Sequence, residues 1–251
     1  MVTEVLSVPV IVGSGVAGLV TALRLPGSVV VTKGAVGDGS TGHAQGGIAA
    51  AVGPDDSPAA HASDTLSVGG GLVLDDVAAE VVGAAPRMVE WLQAIGTRFD
   101  RSADGRLDLG REAGHNADRI LHADGDATGR ELIRALRAAV AARPDITVLE
   151  QTEVIDLATS AGSVVGVVTR STDGIDRVLV APAVVLATGG IGGLFDRTTN
   201  PPGVNGGGLA VAARAGALLG DLEFVQFHPT ALVVDQDPLP LLTEALRGAG
   251  A

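Results

Sequence analysis

The run Gly13-Ser14-Gly15-Val16-Ala17-Gly18 is the first segment of the chain equipped for chemistry. Glycines at these three positions permit a tight turn, the close approach of a pyrophosphate and the packing of a helix onto a strand. Free N–H groups at the start of the following helix would then face the phosphates. A second segment, Ser40-Thr41-Gly42-His43-Ala44-Gln45-Gly46-Gly47-Ile48, joins hydroxyls, an amide and paired glycines. It suits either a wrap around a flat polar ring system or an ordinary glycine-rich surface loop. A third comprises Arg111-Glu112-Ala113-Gly114-His115, Arg119-Ile120-Leu121-His122 and Asp126-Ala127-Thr128-Gly129-Arg130. Its charged side chains form either a site or a solvated loop, with Asp126 or Thr128 capping the next helix. His115 and His122 lack a supporting carboxylate pattern, so no metal site is expected. The fourth is Glu223-Phe224-Val225-Gln226-Phe227-His228-Pro229-Thr230, followed by Leu242-Thr243-Glu244-Ala245-Leu246-Arg247-Gly248. A single His such as His228 is often a buried structural ring. Here Gln226, Thr230, Thr243, Glu244 and Arg247 stand with it as polar residues in apolar runs, which favours a site.

The elements needed to position these groups are legible around them. Residues 8–12 are an apolar run entering the glycine turn, 19–25 carry a short helical pattern stopped by Pro26-Gly27, and 28–32 are a second apolar run. Strand, glycine turn, helix, strand opens a parallel α/β sheet. The second strand ends in Thr32-Lys33 with no acid before Asp38, which departs from the usual NAD pattern. Residues 34–71 show little periodicity and read mostly as loops. Residues 75–95 have helical spacing, with Val77, Val81, Ala84 or Ala85, Met88 and Leu92 near one face. A second helix is expected over 129–142 and a third over 209–217. Strand-like runs cover 146–149, 164–169, 178–180 and 184–187, with a hairpin signal at Asp173-Gly174.

Composition limits the partners. The chain has 251 residues, 36 of them glycine, and no cysteine, which excludes disulfides, thiolate metal sites and thiol nucleophiles. Seventeen basic against 29 acidic residues give a net charge of −12, the wrong sign for a nucleic-acid surface. The most apolar stretch, 178–195, is broken by Pro182 and four glycines and reads as strand and loop, not a membrane span. Residues 1–9 lack a basic start and a long apolar core, so a cytoplasmic location without membrane contact is expected.

Taken in order, the 40–47 loop, the 111–129 stretch, the Ala187-Thr188-Gly189-Gly190 strand end, the Thr198-Thr199-Asn200-Pro201 turn and the 223–230 motif resemble the L-aspartate oxidase family. That family is related to the succinate dehydrogenase and fumarate reductase flavoproteins. The resemblance runs from about residue 8 to the last residue. It implies a doubly wound, Rossmann-like FAD-binding domain over 1–221 and the beginning of an α+β capping domain over 222–251. Family members are about twice this length, so the chain would correspond to an N-terminal part.

The implied reaction is FAD-dependent oxidation of L-aspartate to iminoaspartate, with electrons passed to oxygen or fumarate and the product handed to quinolinate synthase for NAD biosynthesis. FAD would be non-covalent, because Ser40 stands where covalent relatives carry their flavin-linked His. The cofactor would lie on Gly13, Ser14, Gly15, Val16, Ala17, Gly18, Lys33, Ser40, Thr41, Ala44, Gln45, Gly46, Gly47, Thr188, Gly189 and Gly190. By the same resemblance, His228, Thr243 and Glu244 would bind the substrate carboxylates or carry protons, Gln226 would lie near the flavin, and Glu112 would accept the substrate's ammonium. The chain departs from the family at Gly206-Gly207-Gly208, where Gly-Asp-Gly is usual, and at Ala249, where the family has Glu. Two alternatives stand beside this reading: a fumarate reductase or succinate dehydrogenase flavoprotein acting on a C4 dicarboxylate, in which Glu112 has no substrate role, and a non-catalytic FAD-binding fragment.

Overall fold

The computed structural model describes residues 2–25, 27–228 and 230–242. The chain opens with β1 (Val2–Val5), β2 (Val10–Val12), α1 (Val16–Arg24) and β3 (Ser28–Val31). It continues through α2 (Ser40–His43), β4 (Ile48–Ala49), α3 (Pro58–Val68), α4 (Asp75–Ala94), β5 (Leu109–Gly110) and β6 (Ile120–Leu121). After α5 (Thr128–Ala141) come β7 (Ile146–Leu149), β8 (Thr152–Ser160), β9 (Ser163–Ser171), β10 (Asp176–Val180), β11 (Val184–Leu186) and α6 (Gly207–Arg214).

Two compact units result, one made of the residues up to His43 together with Leu136–Leu241, the other of Ala44–Ala135. The first is built on a parallel sheet of order β11-β2-β3-β7. Strands β2 and β3 are buried throughout, which explains their unbroken apolar sequences. From β2 the chain passes through α1 to β3 on one side and reaches β11, on the other side, only late. The carboxyl end of β2 is therefore the switch point of the sheet, where doubly wound folds open their ligand crevice. A second sheet, β1-β10-β9-β8, packs Val167, Leu179 and Ala181 against Val10, Val12, Val29 and Val31.

The other unit holds the small antiparallel sheet β4-β6-β5 and helices α3 and α4. Its core joins Ala50, Val89, Leu92, Phe99, Leu121, Ala123 and Leu132.

Several expectations need correction. Helix α1 begins at Val16, because the last residues of the glycine motif form its first turn. Residues 58–68, read as loop, are a helix whose N-cap Ser57 accepts a hydrogen bond from the Ala60 N–H at 3.1 Å, with Pro58 in the first turn. It buries His61 and Asp64, so no apolar stripe announces it. Helix α4 turns inward with Ala78, Val82, Val89 and Leu92, while Val77 and Val81 are 49% and 64% exposed. The apolar residues surround that helix, and small Ala78, not Val77, faces inward. Strand β8, the edge of its sheet, was unmarked because its Thr, Glu, Asp and Ser give no apolar alternation and a register shift falls between Val154 and Asp156.

Candidate functional site

In the first unit the glycine motif closes the end of β2. Gly13 has φ +109°, and a side chain there would be driven into the Ala187 carbonyl at the end of β11. A Cβ at Gly18 would collide with the Gly13 carbonyl, so this glycine lets α1 lie on the strand. Gly15 differs: a Cβ there would meet only Thr41 Oγ1, at 3.3 Å. The three glycines thus divide into one turn, one packing contact and one open approach.

Gly15 is the N-cap of α1 and brings no capping side chain of its own. The Val16 N–H donates to Thr41 Oγ1 at 3.1 Å. A helix start whose N-cap is a glycine fits a pyrophosphate, which would accept from the first-turn N–H groups beyond Val16, such as that of Ala17. Ser14 is turned away from this space: its hydroxyl is 2.7 Å from Thr32 Oγ1 and accepts the Gly37 N–H at 3.1 Å. It fixes the loop after β3 against the glycine turn.

That loop is closed by acids. Asp38 Oδ2 accepts the Ala35 N–H at 2.9 Å, and Glu150 Oε1 accepts the Val36 N–H at 2.6 Å. Lys33 Nζ stands 3.0 Å from Glu153 Oε1. Ser40 Oγ donates to Asn200 Oδ1 at 2.8 Å, tying α2 to the turn at 198–201. Thr188 and Gly189 continue from β11, Gly189 with φ +74°, and the Gly190 carbonyl accepts the Gly206 N–H at 3.1 Å. Gln226 is exposed. His228 Nδ1 accepts the Thr230 N–H at 3.3 Å and is 3.2 Å from Thr230 Oγ1. In the neutral ring this leaves the proton on Nε2. Thr243 and Glu244 lie outside the described residues.

The second unit carries the other candidates. Gly47 presses against β6, where a side chain would strike the Leu121 carbonyl, and Ala44 and Gly46 are exposed. Gln45 Oε1 is shut off from solvent and accepts no hydrogen bond from the described residues. A buried amide oxygen without a donor fits a loop completed by a donor-bearing polar ligand such as a flavin ring.

Across β6 lies a polar network. Arg119, 0% exposed, donates Nε and Nη2 to the two oxygens of Asp56, each at 2.8 Å, and Nη1 to Asp64 Oδ2 at 2.8 Å. Asp64 also accepts the Asn116 backbone and side-chain N–H groups at 2.9 and 2.5 Å. These Asn116 donors, with Arg119, hold the Asp64 carboxyl below the usual range. His61 lies 5.5 Å from His115, ring centre to ring centre, and burial followed by the Arg119 charge pushes its imidazole down, so it is neutral at pH 7.

Arg119 is therefore a buried structural anchor, which neither the site nor the solvated-loop reading of this stretch anticipated. Sequence reading missed Asp56 and Asp64 as its partners and His61 buried beside them; the Ser57-Pro58 helix start was the one signal that could have drawn attention there. Arg111 is committed to Asp118, Nε to Oδ1 at 2.7 Å. Glu112, by contrast, faces His122, with Nε2 and Oε1 3.9 Å apart. A cleft of about 660 Å³ runs beside this loop, between Val52–Asp56, Leu107, Leu109, Arg111 and Asp118.

The sequence matches the FAD binding domain family over residues 9–251. It is 51% identical to the L-aspartate oxidase of Agrobacterium fabrum, covering 96% of this chain and 47% of that protein. It is 50% identical to the L-aspartate oxidase of Streptomyces coelicolor, covering 96% of this chain and 44% of that protein. The chain thus spans about half the length of the curated relatives it matches. Its fold is similar to that of E. coli quinol fumarate reductase FrdA, with TM-score 0.92, 31% identity, and coverage of 100% of this chain and 43% of that one. The open conformation of a flavocytochrome c3 fumarate reductase gives TM-score 0.83 at 27% identity, covering 98% of this chain and 46% of that one.

Proposed function

Because the chain belongs to the FAD binding domain family, with FAD as its cofactor, we propose that it supplies the cofactor seat and part of the substrate site of an L-aspartate oxidase. The observation that carries this reading is the position of Glu112, a carboxylate whose loop arginines are both committed elsewhere and whose one ion-pair partner among the described residues is His122. A carboxylate left in that state is suited to a substrate ammonium, which succinate and fumarate lack. Half-identity to L-aspartate oxidases along nearly the whole chain supports the same choice.

When bound, FAD would supply the acceptor for the hydride leaving the α-carbon, and with loss of one proton from the ammonium nitrogen L-aspartate would become iminoaspartate. The chain's residues do the rest. Gly15 and the first turn of α1 hold the pyrophosphate, the 40–47 loop surrounds the ring system, and Thr188, Gly189, Gly190 and Lys33 line the remaining cofactor surface. Glu112 accepts the ammonium. His228, Thr243 and Glu244 hold the carboxylates and relay protons, with Gln226 near the ring. Donors aimed at a dianion gain strength once water is excluded. Oxygen or fumarate takes the electrons onward, and quinolinate synthase is the consumer of the product. The capping domain begins near Leu222, and the location is cytoplasmic; no helix among the described residues is long and apolar enough to cross a membrane.

The test is the visible spectrum of the FAD-loaded protein under anaerobic conditions, before and after L-aspartate. Bleaching by L-aspartate and not by succinate is expected. A flavin reduced by succinate and indifferent to L-aspartate would assign the chain to the fumarate reductase and succinate dehydrogenase side.

A further inference from the structure

Glu112 does not stand alone. His122 follows β6 directly, and the peptide group after it is pinned at both ends: its carbonyl accepts the Asp100 N–H at 2.9 Å, and the N–H of Ala123 donates to Thr128 Oγ1 at 3.2 Å. The ring lies over β5, where a Cβ built on Gly110 would come within 3.3 Å of His122 Cε1. Its Nε2 is 3.9 Å from Glu112 Oε1, and both side chains are 29% exposed. That separation is too long for a hydrogen bond between the two. It is close to what two acceptors need in order to share one donor. Two atoms each about 2.8 Å from a single ammonium nitrogen, at the tetrahedral angle, lie about 4.6 Å apart. A small rotation of the Glu112 side chain covers the difference.

We propose that His122 Nε2 and Glu112 Oε1 form a two-acceptor seat for the substrate's α-ammonium, which makes His122 a second specificity residue of the amino-acid reaction. The proposal rests on the L-aspartate reading of Glu112. With its proton on Nδ1 the ring offers the Nε2 lone pair, and Glu112 offers the countercharge. A C4 dicarboxylate without nitrogen gains nothing from either group. The two arginines of the loop do not compete, since Arg111 is held by Asp118 and Arg119 by Asp56 and Asp64. Discrimination would therefore come from acceptors that meet no donor at hydrogen-bond distance among the described residues, the arrangement that best separates ligands differing by one polar group.

The experiment is a calorimetric titration of the complete gene product carrying FAD kept reduced, so that L-aspartate binds without turning over. L-Aspartate and succinate are titrated in turn into the unsubstituted protein, His122→Phe and His122→Gln. His122→Phe keeps a ring but no acceptor, and should weaken L-aspartate about 10- to 100-fold while leaving succinate within about twofold. His122→Gln restores an acceptor and should recover most of the loss. No change in L-aspartate binding, or a Gln variant as poor as Phe, overturns the seat. If His122→Phe loses succinate as well, His122→Leu is the second variant, and the same loss there also overturns it. An unsubstituted protein that prefers succinate to L-aspartate defeats the oxidase reading itself. A preference for L-aspartate that survives His122→Phe defeats only the seat.

Discussion

At the scale of single residues, the three glycines of the opening motif look equivalent in sequence but do different work. Gly18 is needed by the fold, since its Cβ would strike the Gly13 carbonyl, whereas a Cβ at Gly15 would meet only the Thr41 hydroxyl, at 3.3 Å. Gly18→Ala should cost about 1–3 kcal/mol through forced displacement of α1. Gly15→Ala should leave the thermal midpoint of the FAD-free protein within about a degree and yet raise the Kd for FAD at least about tenfold, by filling the pyrophosphate's approach. Calorimetry of each variant with and without FAD separates the two effects; equal losses of stability would show that Gly15 is a packing residue too. Glu112→Gln makes the matching prediction for substrate. It removes the countercharge, so the Kd for L-aspartate should rise by about tenfold or more while fumarate reduction persists. Loss of both activities would count against a role in ammonium binding.

At the scale of elements, helices here are tied by charge as well as by apolar faces. Glu131, in the first turn of α5, accepts from the Arg98 N–H at 2.7 Å and from Arg134 Nε and Nη2 at 2.6 Å each. The Arg134 guanidinium, ahead of the Arg98 contacts, lowers its pKa from 4.5 to about 2. A carboxyl with a depressed folded-state value contributes stability that is complete above the unfolded value and lost as pH falls through the folded one. The Glu131 contribution should therefore be whole above about pH 5 and vanish between pH 4.5 and 2. Glu131→Gln should cost about 1–2 kcal/mol at pH 7, less than the low pKa alone implies because both arginines reach solvent. Urea unfolding at pH 7 and pH 3 checks this: the gap between the two proteins should narrow at the lower pH, and a constant gap would point to packing instead.

At the scale of the whole molecule, the two units have separate apolar cores, and only the Ala44–Ala135 unit contains the Arg119 network. Replacing Arg119 leaves Asp56 and Asp64, 3% and 7% exposed at their side chains, without their cation. Arg119→Met should lower the melting temperature of that unit by roughly 10 °C or more. Amide hydrogen exchange would then show lost protection along α3, α4 and β6, with β2, β3 and β7 still protected. Uniform loss across both sheets would mean that the units unfold as one.

The amino-acid sequence by itself determined the parallel sheet, because strands buried on both faces must be continuous apolar runs and the glycine turn between two of them has few alternatives. It also determined the class of cofactor seat, since steric demands at Gly13, Gly15 and Gly18 are local. Helix α3 was decided by tertiary structure: it buries His61 and Asp64, and Asp64 is held by Arg119 and Asn116, 55 and 52 positions away, so its stabilisation is invisible to periodicity. The inward face of α4 was settled likewise, by the close packing available to Ala78 and not to Val77. Most of the roles in the 111–122 stretch also waited on the fold. Two arginines, two histidines and a glutamate are interchangeable candidates in a linear reading. Once distant aspartates claim Arg119 and Asp118 claims Arg111, Glu112 and His122 remain as the pair facing one another.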